Sequence, residues 1–291
     1  MFANRTDSYR EWRAAKLDNY PKNAAELVTE IDGLLDVRDH QKAAILASCR
    51  RANMAIYSCL DDFVDRRAVR KFAEFFGLTR IDHHLCANDD GVSELAVAAG
   101  GVRGDYVPYS SRSLSWHTDG YYNAASRRLQ AVVLHCAADA ANGGQNAVLD
   151  PEIAYLRLRD ANPEYIAAFE HPQCMEIPAN NGADGEIRPA VTGPVFWYDT
   201  ASGALRMRYS ARKKNIRWRN DAVTSAARKC LTELLGDEDG LVLRFKLKPG
   251  QGLIANNVLH NRTAFEDTSE HKRLLYRARF FDSITGGEEK P

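Results

Sequence analysis

The stretch Ser115-Trp116-His117-Thr118-Asp119-Gly120-Tyr121-Tyr122 stands among short β-prone segments that glycine turns separate. Those segments are residues 54–60, 95–98, 106–108, 129–136, 147–149, 195–198, 205–209, 241–248, 252–255 and 274–281. Many short strands bounded by turn signals are typical of a β-sandwich or a barrel. The sequence therefore predicts a β-rich α+β protein.

Helical spacing of apolar residues precedes and interrupts these strands. It predicts helices over residues 21–31, 40–51, 65–76, 151–159, 163–170 and 224–235. Asp65 and Gly77 stand where an N-cap and a helix end are expected. We expect residues 1–291 to form one catalytic domain, in which 1–92 is mainly helical decoration and 93–282 carries the β core with helical insertions.

Composition excludes several classes of protein. The 291 residues contain 39 Lys+Arg and 39 Asp+Glu, a balance that argues against a general binder of nucleic acid. None of the six cysteines is spaced as CxxC, so zinc-finger and thioredoxin-like motifs are absent from the sequence. With no signal-like N-terminus and no long apolar run, we expect a cytoplasmic protein with no membrane partner.

Motifs for the common cofactor classes are also missing. The sequence contains no GxGxxG, no GxxxxGK[ST] and no GxSxG, so it lacks the fingerprints of dinucleotide, P-loop and nucleophile-elbow sites. HExxH, which is typical of zinc hydrolases, does not occur either. The stretch at residues 115–122 is therefore the main candidate for a catalytic or metal-binding site.

His117 and Asp119 lie two residues apart, so on a strand they point to the same face. An imidazole, a carboxylate and a third ligand from elsewhere form the facial triad of non-haem Fe(II) oxygenases. His260 follows a β-like run near the C-terminus and is the candidate for that third position. His-x-Asp by itself is a common tripeptide, so the prediction of an iron site also depends on the motifs that follow it in the sequence.

Arg273, Arg277 and Arg279 alternate with apolar residues on the last predicted strand. Two interpretations stand at this point. The three arginines can form the polar face of a solvated edge strand. They can also lie buried and hold a carboxylate, because a buried guanidinium requires an anion and binds a carboxylate with two parallel hydrogen bonds.

Taken together, these motifs resemble those of the taurine dioxygenase/γ-butyrobetaine hydroxylase superfamily. The resemblance rests on Trp-His-Thr-Asp at 116–119, Gly-Gly-Gln-Asn at 143–146, Val-Leu-His-Asn-Arg at 258–262 and Arg273. It covers residues 83–282, with the motifs in the family's order. It implies a double-stranded β-helix, or jelly-roll, core and an Fe(II)- and 2-oxoglutarate-dependent dioxygenase that also consumes dioxygen.

The resemblance also implies roles for individual residues. His117, Asp119 and His260 match the iron ligands, and Arg273 matches the arginine that binds the distal carboxylate of 2-oxoglutarate. Asn146 stands where taurine dioxygenase has a threonine that touches the same carboxylate. An amide can donate there as well; otherwise Asn146 is a turn residue.

Other matches concern the substrate. Arg277 matches an arginine that binds an anionic group, and His83 matches a substrate-contacting histidine, although His84 beside it competes for that role. The aromatic side chains of Trp116, Tyr121 and Tyr122 either wall the substrate pocket or belong to the core and rim of the barrel.

The resemblance thus predicts hydroxylation of a small, anionic or zwitterionic molecule, with release of succinate and CO2. Two alternatives remain at this stage: a non-catalytic sensor that binds metal or a small acid, and a zinc-dependent hydrolase. The seven basic residues within 206–219 are expected to form a solvated face or a loop over an anionic substrate, rather than a nucleic-acid site. The sequence leaves open whether the chain forms a homo-oligomer.

Overall fold

The computed structural model describes residues 6–59, 64–104, 106–182, 185–212, 214–236 and 240–285. Within these ranges the α-helices are α1 (Thr6–Asn19), α2 (Asp39–Ala52), α3 (Arg66–Glu74), α4 (Gly101–Gly104), α5 (Pro151–Ala161), α6 (Pro163–Glu170) and α7 (Ala222–Leu235). Short 3-10 turns lie at Ala24–Leu27, Val107–Tyr109 and Ala125–Arg127.

The strands of the same ranges are β1 (Val28–Ile31), β2 (Met54–Cys59), β3 (Ser93–Leu95), β4 (Leu114–His117), β5 (Ala131–Ala138), β6 (Asn142–Gly143), β7 (Asn146–Leu149), β8 (Met175–Ile177), β9 (Asn180–Gly182), β10 (Gly185–Arg188), β11 (Val191–Gly193), β12 (Phe196–Tyr198), β13 (Leu205–Met207), β14 (Arg217–Trp218), β15 (Leu243–Phe245), β16 (Gln251–Ala255), β17 (Leu259–Arg262), β18 (Phe265–Glu266) and β19 (Leu274–Phe280). The β-rich α+β class is therefore confirmed.

The chain divides into two compact units. The helical unit contains Met1–Tyr20, Ser115–Arg128 and Leu149–Val242, and the sheet unit contains Pro21–Leu114, Leu129–Val148 and Leu243–Pro291. The chain passes from the sheet unit into the helical unit within β4, directly before the stretch that carries His117. The prediction of one catalytic domain stays a prediction.

The sheet unit is built on a six-stranded sheet with the order β1-β2-β16-β5-β19-β3. Strands β1 and β2 run parallel, and the other pairings are antiparallel. One face is covered by α3, whose Phe72 packs against Tyr57 of β2 with ring centroids 4.4 Å apart. Both side chains are fully buried, and burial of such a side chain contributes about 1.5–3 kcal/mol.

A second sheet of the sheet unit contains β15, β7 and β17 in that order. Its register pairs Phe245 with Asn146, which brings the residues after β15 beside the start of β7. Near β17, Asn257 adopts a left-handed backbone (φ 47°), a conformation that asparagine tolerates better than most residues. Its side-chain amide donates to the carbonyl of Leu129 at 2.9 Å, which fixes the approach to β17.

The helical unit packs α5, α6 and α7 around an aromatic cluster. Tyr155 of α5 meets Phe196 of β12 edge-to-face at 5.4 Å, and Phe169 of α6 lies 6.1 Å from the same ring. The N-terminal helix α1 joins α5 through Trp12, whose ring lies 5.9 Å from that of Tyr155. Arg208 donates to the carbonyls of Met175 and Gly193, so its buried side chain ties β8 to β11.

Several predicted elements are confirmed. Strands β5, β16 and β19 and helices α2, α5, α6 and α7 lie within one to three residues of the expected bounds. Helix α3 begins after Asp65, whose carboxylate accepts from the amide of Ala68 at 2.8 Å. The turn that follows the helix ends at Gly77 with φ 74°, where glycine avoids the strain of a side chain.

Other local predictions were wrong. The helix expected over 21–31 is a 3-10 turn followed by β1, because pairing with β2 prevails over the helical spacing of these residues. The strand expected over 106–108 is a 3-10 turn, and Pro108 lies within it. Strand β2, by contrast, agrees with the β-prone run expected over 54–60, so β1 is the unexpected strand that the N-terminal part supplies to the large sheet.

Within the described residues, no helix is both long enough and apolar enough to cross a membrane.

Lys16 tests how α1 is attached to the helical unit. Its buried ammonium lies 2.6 Å from carboxylate oxygens of both Asp150 and Glu152. We expect Lys16→Met to lower the free energy of unfolding by about 3 kcal/mol, because it leaves the fully buried Asp150 without its cation. Urea denaturation measures this, with Lys22→Met at an exposed position as the control. Equal losses in the two variants would contradict the assignment.

Candidate active site

His117 ends β4 and Asp119 lies in the turn after it, and this stretch is held by the residues that follow β13. His117 forms an antiparallel bridge with Ser210. The amide of Thr118 donates to the carbonyl of Tyr209 at 3.0 Å, and the Thr118 hydroxyl accepts from the Tyr209 amide at 3.1 Å. These paired bonds fix the backbone on both sides of Thr118, and with it the two candidate ligands.

The structure brings His117 and Asp119 together within the helical unit. Their side chains are buried, and His117 Nε2 lies 3.8 Å from Asp119 Oδ1. The chain turns immediately afterwards at Gly120, which has φ 64° and is therefore suited to glycine. The two side chains thus lie close together, but Asp119 lies in the turn after β4, so their proximity does not arise from strand alternation.

Both candidate histidines carry their ring proton at a fixed nitrogen. His117 Nδ1 lies 2.8 Å from the carbonyl of Ser115, and His260 Nδ1 lies 2.9 Å from the carbonyl of Val258. A carbonyl only accepts, so in each ring Nδ1 is the donor and Nε2 carries the lone pair. With Asp119, the residues offer two ring nitrogens and one carboxylate oxygen as ligand atoms.

Arg277 and Arg279 of β19, and Arg273 directly before the strand, are buried, between 2% and 7% exposed. The strand lies inside the six-stranded sheet, between β5 and β3, so the edge-strand interpretation is wrong. Arg279 donates to Asp82 at 2.5 Å, and this buried ion pair accounts for its charge. Arg277 lies opposite Leu134 and Ser93 in the register of the sheet.

Arg273 has a different environment from Arg279. Burial lowers the pKa of its guanidinium, an effect that the nearby Asp267 opposes. Among the residues that the structure describes, none accepts a hydrogen bond from Arg273 Nη1. The guanidinium stacks over Phe265 at 5.0 Å, and that of Arg262 stacks over the same ring at 4.6 Å. A buried donor of this kind calls for an anionic acceptor.

A recess of the sheet unit opens beside Arg273. The recess is narrow and partly open to solvent. Its lining is formed by Cys136, Asp139, Ala140, Gly144, Asn146, Lys246, Leu247, Arg273 and Leu275. The structure therefore brings Arg273 and Asn146 together, the two residues expected to touch the same carboxylate.

Arg262 supports the same region from β17. It donates to the carbonyls of Ser110 and Arg112, which holds the segment before β4. Burial and the charge of Arg273 together lower the pKa of Arg262 to about 10. Two like charges near one aromatic ring are stable only if anions or backbone carbonyls compensate them.

The aromatic candidates differ in their surroundings. Tyr121 meets the His117 ring edge-on at 6.3 Å, and Tyr122 lies 5.3 Å from Tyr121. Arg212 donates to the Tyr121 hydroxyl at 3.2 Å. Trp116 is half-buried, and its carbonyl accepts from the amide of Ala211 at 2.8 Å. The structure thus places Tyr121 beside a candidate ligand.

The two adjacent histidines of the N-terminal part also differ. His83 is exposed. His84 Nδ1 accepts from the amide of Cys86 at 3.2 Å, and its Nε2 lies 2.9 Å from the hydroxyl of Ser93. These contacts give His84 a structural role in joining the loop to β3.

The basic residues of 206–219 do not form one face. Arg206 and Arg208 are buried, whereas Arg217 and Arg219 pair with Glu176 and Asp221. Arg212 is exposed and contacts Tyr121. Lys213 lies outside the described residues.

Comparison with known proteins identifies the family. The model described as "Taurine catabolism dioxygenase TauD, TfdA family" matches residues 36–279, which is well over half of the 291 residues. The chain belongs to the TauD, TfdA family. Members of this family are 2-oxoglutarate-dependent dioxygenases, so the enzyme class and its cofactors, Fe(II) and 2-oxoglutarate, are those that the sequence predicted.

Solved structures agree with the fold of the TauD, TfdA family. A putative alpha-ketoglutarate-dependent taurine dioxygenase from Burkholderia xenovorans is 16% identical, with 93% of this chain and 92% of that chain covered and a TM-score of 0.60. AAD-2 in complex with Mn(II) and N-oxalylglycine is 12% identical, with coverage of 91% and 97% and a TM-score of 0.61.

Asparagine oxygenase in complex with Fe(II), 3-hydroxyasparagine and succinate is 16% identical, with coverage of 97% and 92% and a TM-score of 0.56. At such low identity the likeness concerns the fold alone. It confirms the predicted jelly-roll core with helical decoration.

Sequence reasoning missed three residues of these surroundings. Arg262 lies two residues after His260, and strand alternation places such residues on the same face of a strand. That spacing could have identified Arg262 as a neighbour of His260. Arg212 was included only as one member of a basic stretch. Lys246 gave no signal at all, because its place in the recess depends on the register of β15 with β7.

Thr118 tests the backbone support of the two ligands in the helical unit. We expect Thr118→Val to lower the free energy of unfolding by about 1–3 kcal/mol, because it leaves the buried amide of Tyr209 without its acceptor. Urea denaturation measures this. The exposed Thr192→Val in β11 is the control, and an unchanged midpoint in Thr118→Val would contradict the assignment.

Proposed function

We propose that this dioxygenase hydroxylates a small anionic or zwitterionic molecule and releases succinate and CO2. The family match over residues 36–279 supports the reaction class. The buried side chains of Arg273 and Arg277 support an anionic group on the ligands. The same family match favours this function over a sensor protein or a zinc-dependent hydrolase.

His117, Asp119 and His260 are the proposed ligands of Fe(II). The observation that carries this assignment is the shared tautomer, since both histidines donate Nδ1–H to a carbonyl two residues earlier and keep the Nε2 lone pair for a metal. Two imidazoles and one carboxylate are also the donor set that suits non-haem Fe(II). The metal, once bound with 2-oxoglutarate, supplies the activation of dioxygen.

Arg273 and Asn146 are the proposed contacts of 2-oxoglutarate. Both line the same recess, and the Arg273 guanidinium has a donor that calls for an acceptor. The planar guanidinium binds a carboxylate through two parallel bonds, and the amide of Asn146 adds a third donor. These two residues orient the cosubstrate through its distal end.

Arg277 is the proposed contact of the substrate anion. It is buried on β19, four residues after Arg273, and a guanidinium binds a carboxylate or a similar anion through paired hydrogen bonds. Tyr121, Tyr122 and Trp116 are proposed to shape the substrate site, and the edge-on contact of Tyr121 with His117 supports this. His83 stays a candidate contact, since its side chain is exposed.

We further propose that the protein acts in the cytoplasm. All six cysteines are free thiols, and five of them are buried, a usage that suits a reducing compartment.

Anaerobic spectroscopy tests the iron and cosubstrate assignments. We expect Fe(II) and 2-oxoglutarate to give a visible charge-transfer band in the wild type. His117→Ala and His260→Ala remove the band because they remove metal ligands, whereas Arg273→Met weakens binding of 2-oxoglutarate by at least tenfold. The control is His40→Ala on the exposed surface of α2. A full band in His117→Ala would contradict the assignment.

A screen of small acids tests Arg277. Carboxylates, sulfonates and amino acids are compared for stimulated succinate release, in wild type and Arg277→Met. We expect the preferred substrate to carry an anion and its apparent KM to rise at least tenfold in the variant, because a charge-assisted pair is lost. If the preferred substrate is uncharged, or its KM is unchanged, Arg277 does not bind it.

A further inference from the structure

Lys246 lies in the recess that holds Arg273 and Asn146. It follows β15, whose Phe245 pairs with Asn146 of β7, so the register brings Lys246 to this part of the sheet unit. About a third of its side chain is exposed. The side chain of Lys246 is therefore only partly buried.

The ammonium is held at a defined place by two acceptors. Lys246 Nζ donates to the carbonyl of Ala140 at 2.7 Å and lies 2.9 Å from Asp139 Oδ2. An ammonium has three N–H donors, and these acceptors engage two of them. The third is available to a ligand in the recess.

Cys136 lines the same recess as Asp139, Lys246 and Arg273. Burial raises its pKa to about 12, and Arg273, Asp139 and Lys246 each contribute a charge effect to that value. The recess lining thus has two positive side chains and one negative side chain. Outside it, Asp267 and Arg262 add one charge of each sign.

A single carboxylate balances this set. With one anionic group bound, the recess has two cations and two anions. A neutral ligand leaves the buried guanidinium of Arg273 uncompensated, and a ligand with two carboxylates at this end introduces an excess negative charge. The charges alone thus favour one terminal carboxylate.

We propose that Lys246 is a second cationic contact for the distal carboxylate of 2-oxoglutarate, and that Asp139 competes with this carboxylate for the ammonium. The inference rests on the proposed role of Arg273. Arg273 provides the buried contact, whereas the Asp139–Lys246 pair sets how strongly the recess prefers a dicarboxylic 2-oxoacid. Removing the positive charge of Lys246 and removing the negative charge of Asp139 should therefore change the affinity for 2-oxoglutarate in opposite directions.

Calorimetric titration of the full-length, Mn(II)-loaded protein tests this proposal. The probes are 2-oxoglutarate and 2-oxopentanoate, which has a methyl group in place of the distal carboxylate. We expect Lys246→Met to weaken binding of 2-oxoglutarate about tenfold and to leave 2-oxopentanoate unchanged. Asp139→Asn strengthens binding of 2-oxoglutarate severalfold, which a merely structural role of the pair does not produce.

Lys248→Met is the matched control, because Lys248 is exposed two residues further along the chain. A dissociation constant of Lys246→Met within twofold of the wild type would overturn the role of Lys246, as would equal weakening of both probes. A wild-type protein that is folded and loaded with Mn(II) but does not bind 2-oxoglutarate would instead contradict the proposed function.

Discussion

A buried guanidinium needs an anion, and this constraint governs the last strand of the protein. Strand β19 carries Arg277 and Arg279 inside the six-stranded sheet, and Arg273 directly precedes it. Desolvation of such charges costs several kcal/mol unless each is compensated. Asp82 compensates Arg279 within the protein. For Arg273 Nη1 the described residues offer no acceptor, so the constraint points to a ligand.

Backbone carbonyls orient the two candidate metal-binding histidines. Those of Ser115 and Val258 each hold the Nδ1 of a histidine two residues later, so the same local device occurs in both units. This arrangement fixes ring orientation and tautomer before any metal binds. It also explains how a short His-x-Asp motif becomes specific, because the bridge of His117 to Ser210 and the bonds of Thr118 to Tyr209 set its backbone.

Part of the fold and of the candidate site was predictable from the sequence, and part was not. The strand pattern predicted β5, β16 and β19. Alternation led to the expectation that His117 and Asp119 lie close together, and they do, although Asp119 belongs to the turn after β4. Pairing partners were not predictable, because a strand's place in a sheet depends on contacts between distant segments.

For that reason the burial of β19 and the strand at 28–31 could not be read from local spacing. The register shift in β5 opposite Leu274 and Leu275 had no signal in the sequence either, although it lies where Cys136 and Ala138 lead into the recess. The surroundings of Lys246 were not predictable either, since only the pairing of β15 with β7 reveals its neighbours.

The central claim is that this chain couples oxidation of 2-oxoglutarate to dioxygen at an iron bound by its own residues. Simultaneous measurement of dioxygen consumed and succinate formed, with purified protein, added Fe(II) and 2-oxoglutarate, and the preferred acid from the screen, tests it most directly. The account predicts equal amounts of the two, no succinate without dioxygen and none when Zn(II) replaces Fe(II). Iron-loaded, folded protein that consumes dioxygen without succinate, or forms succinate anaerobically, would contradict it.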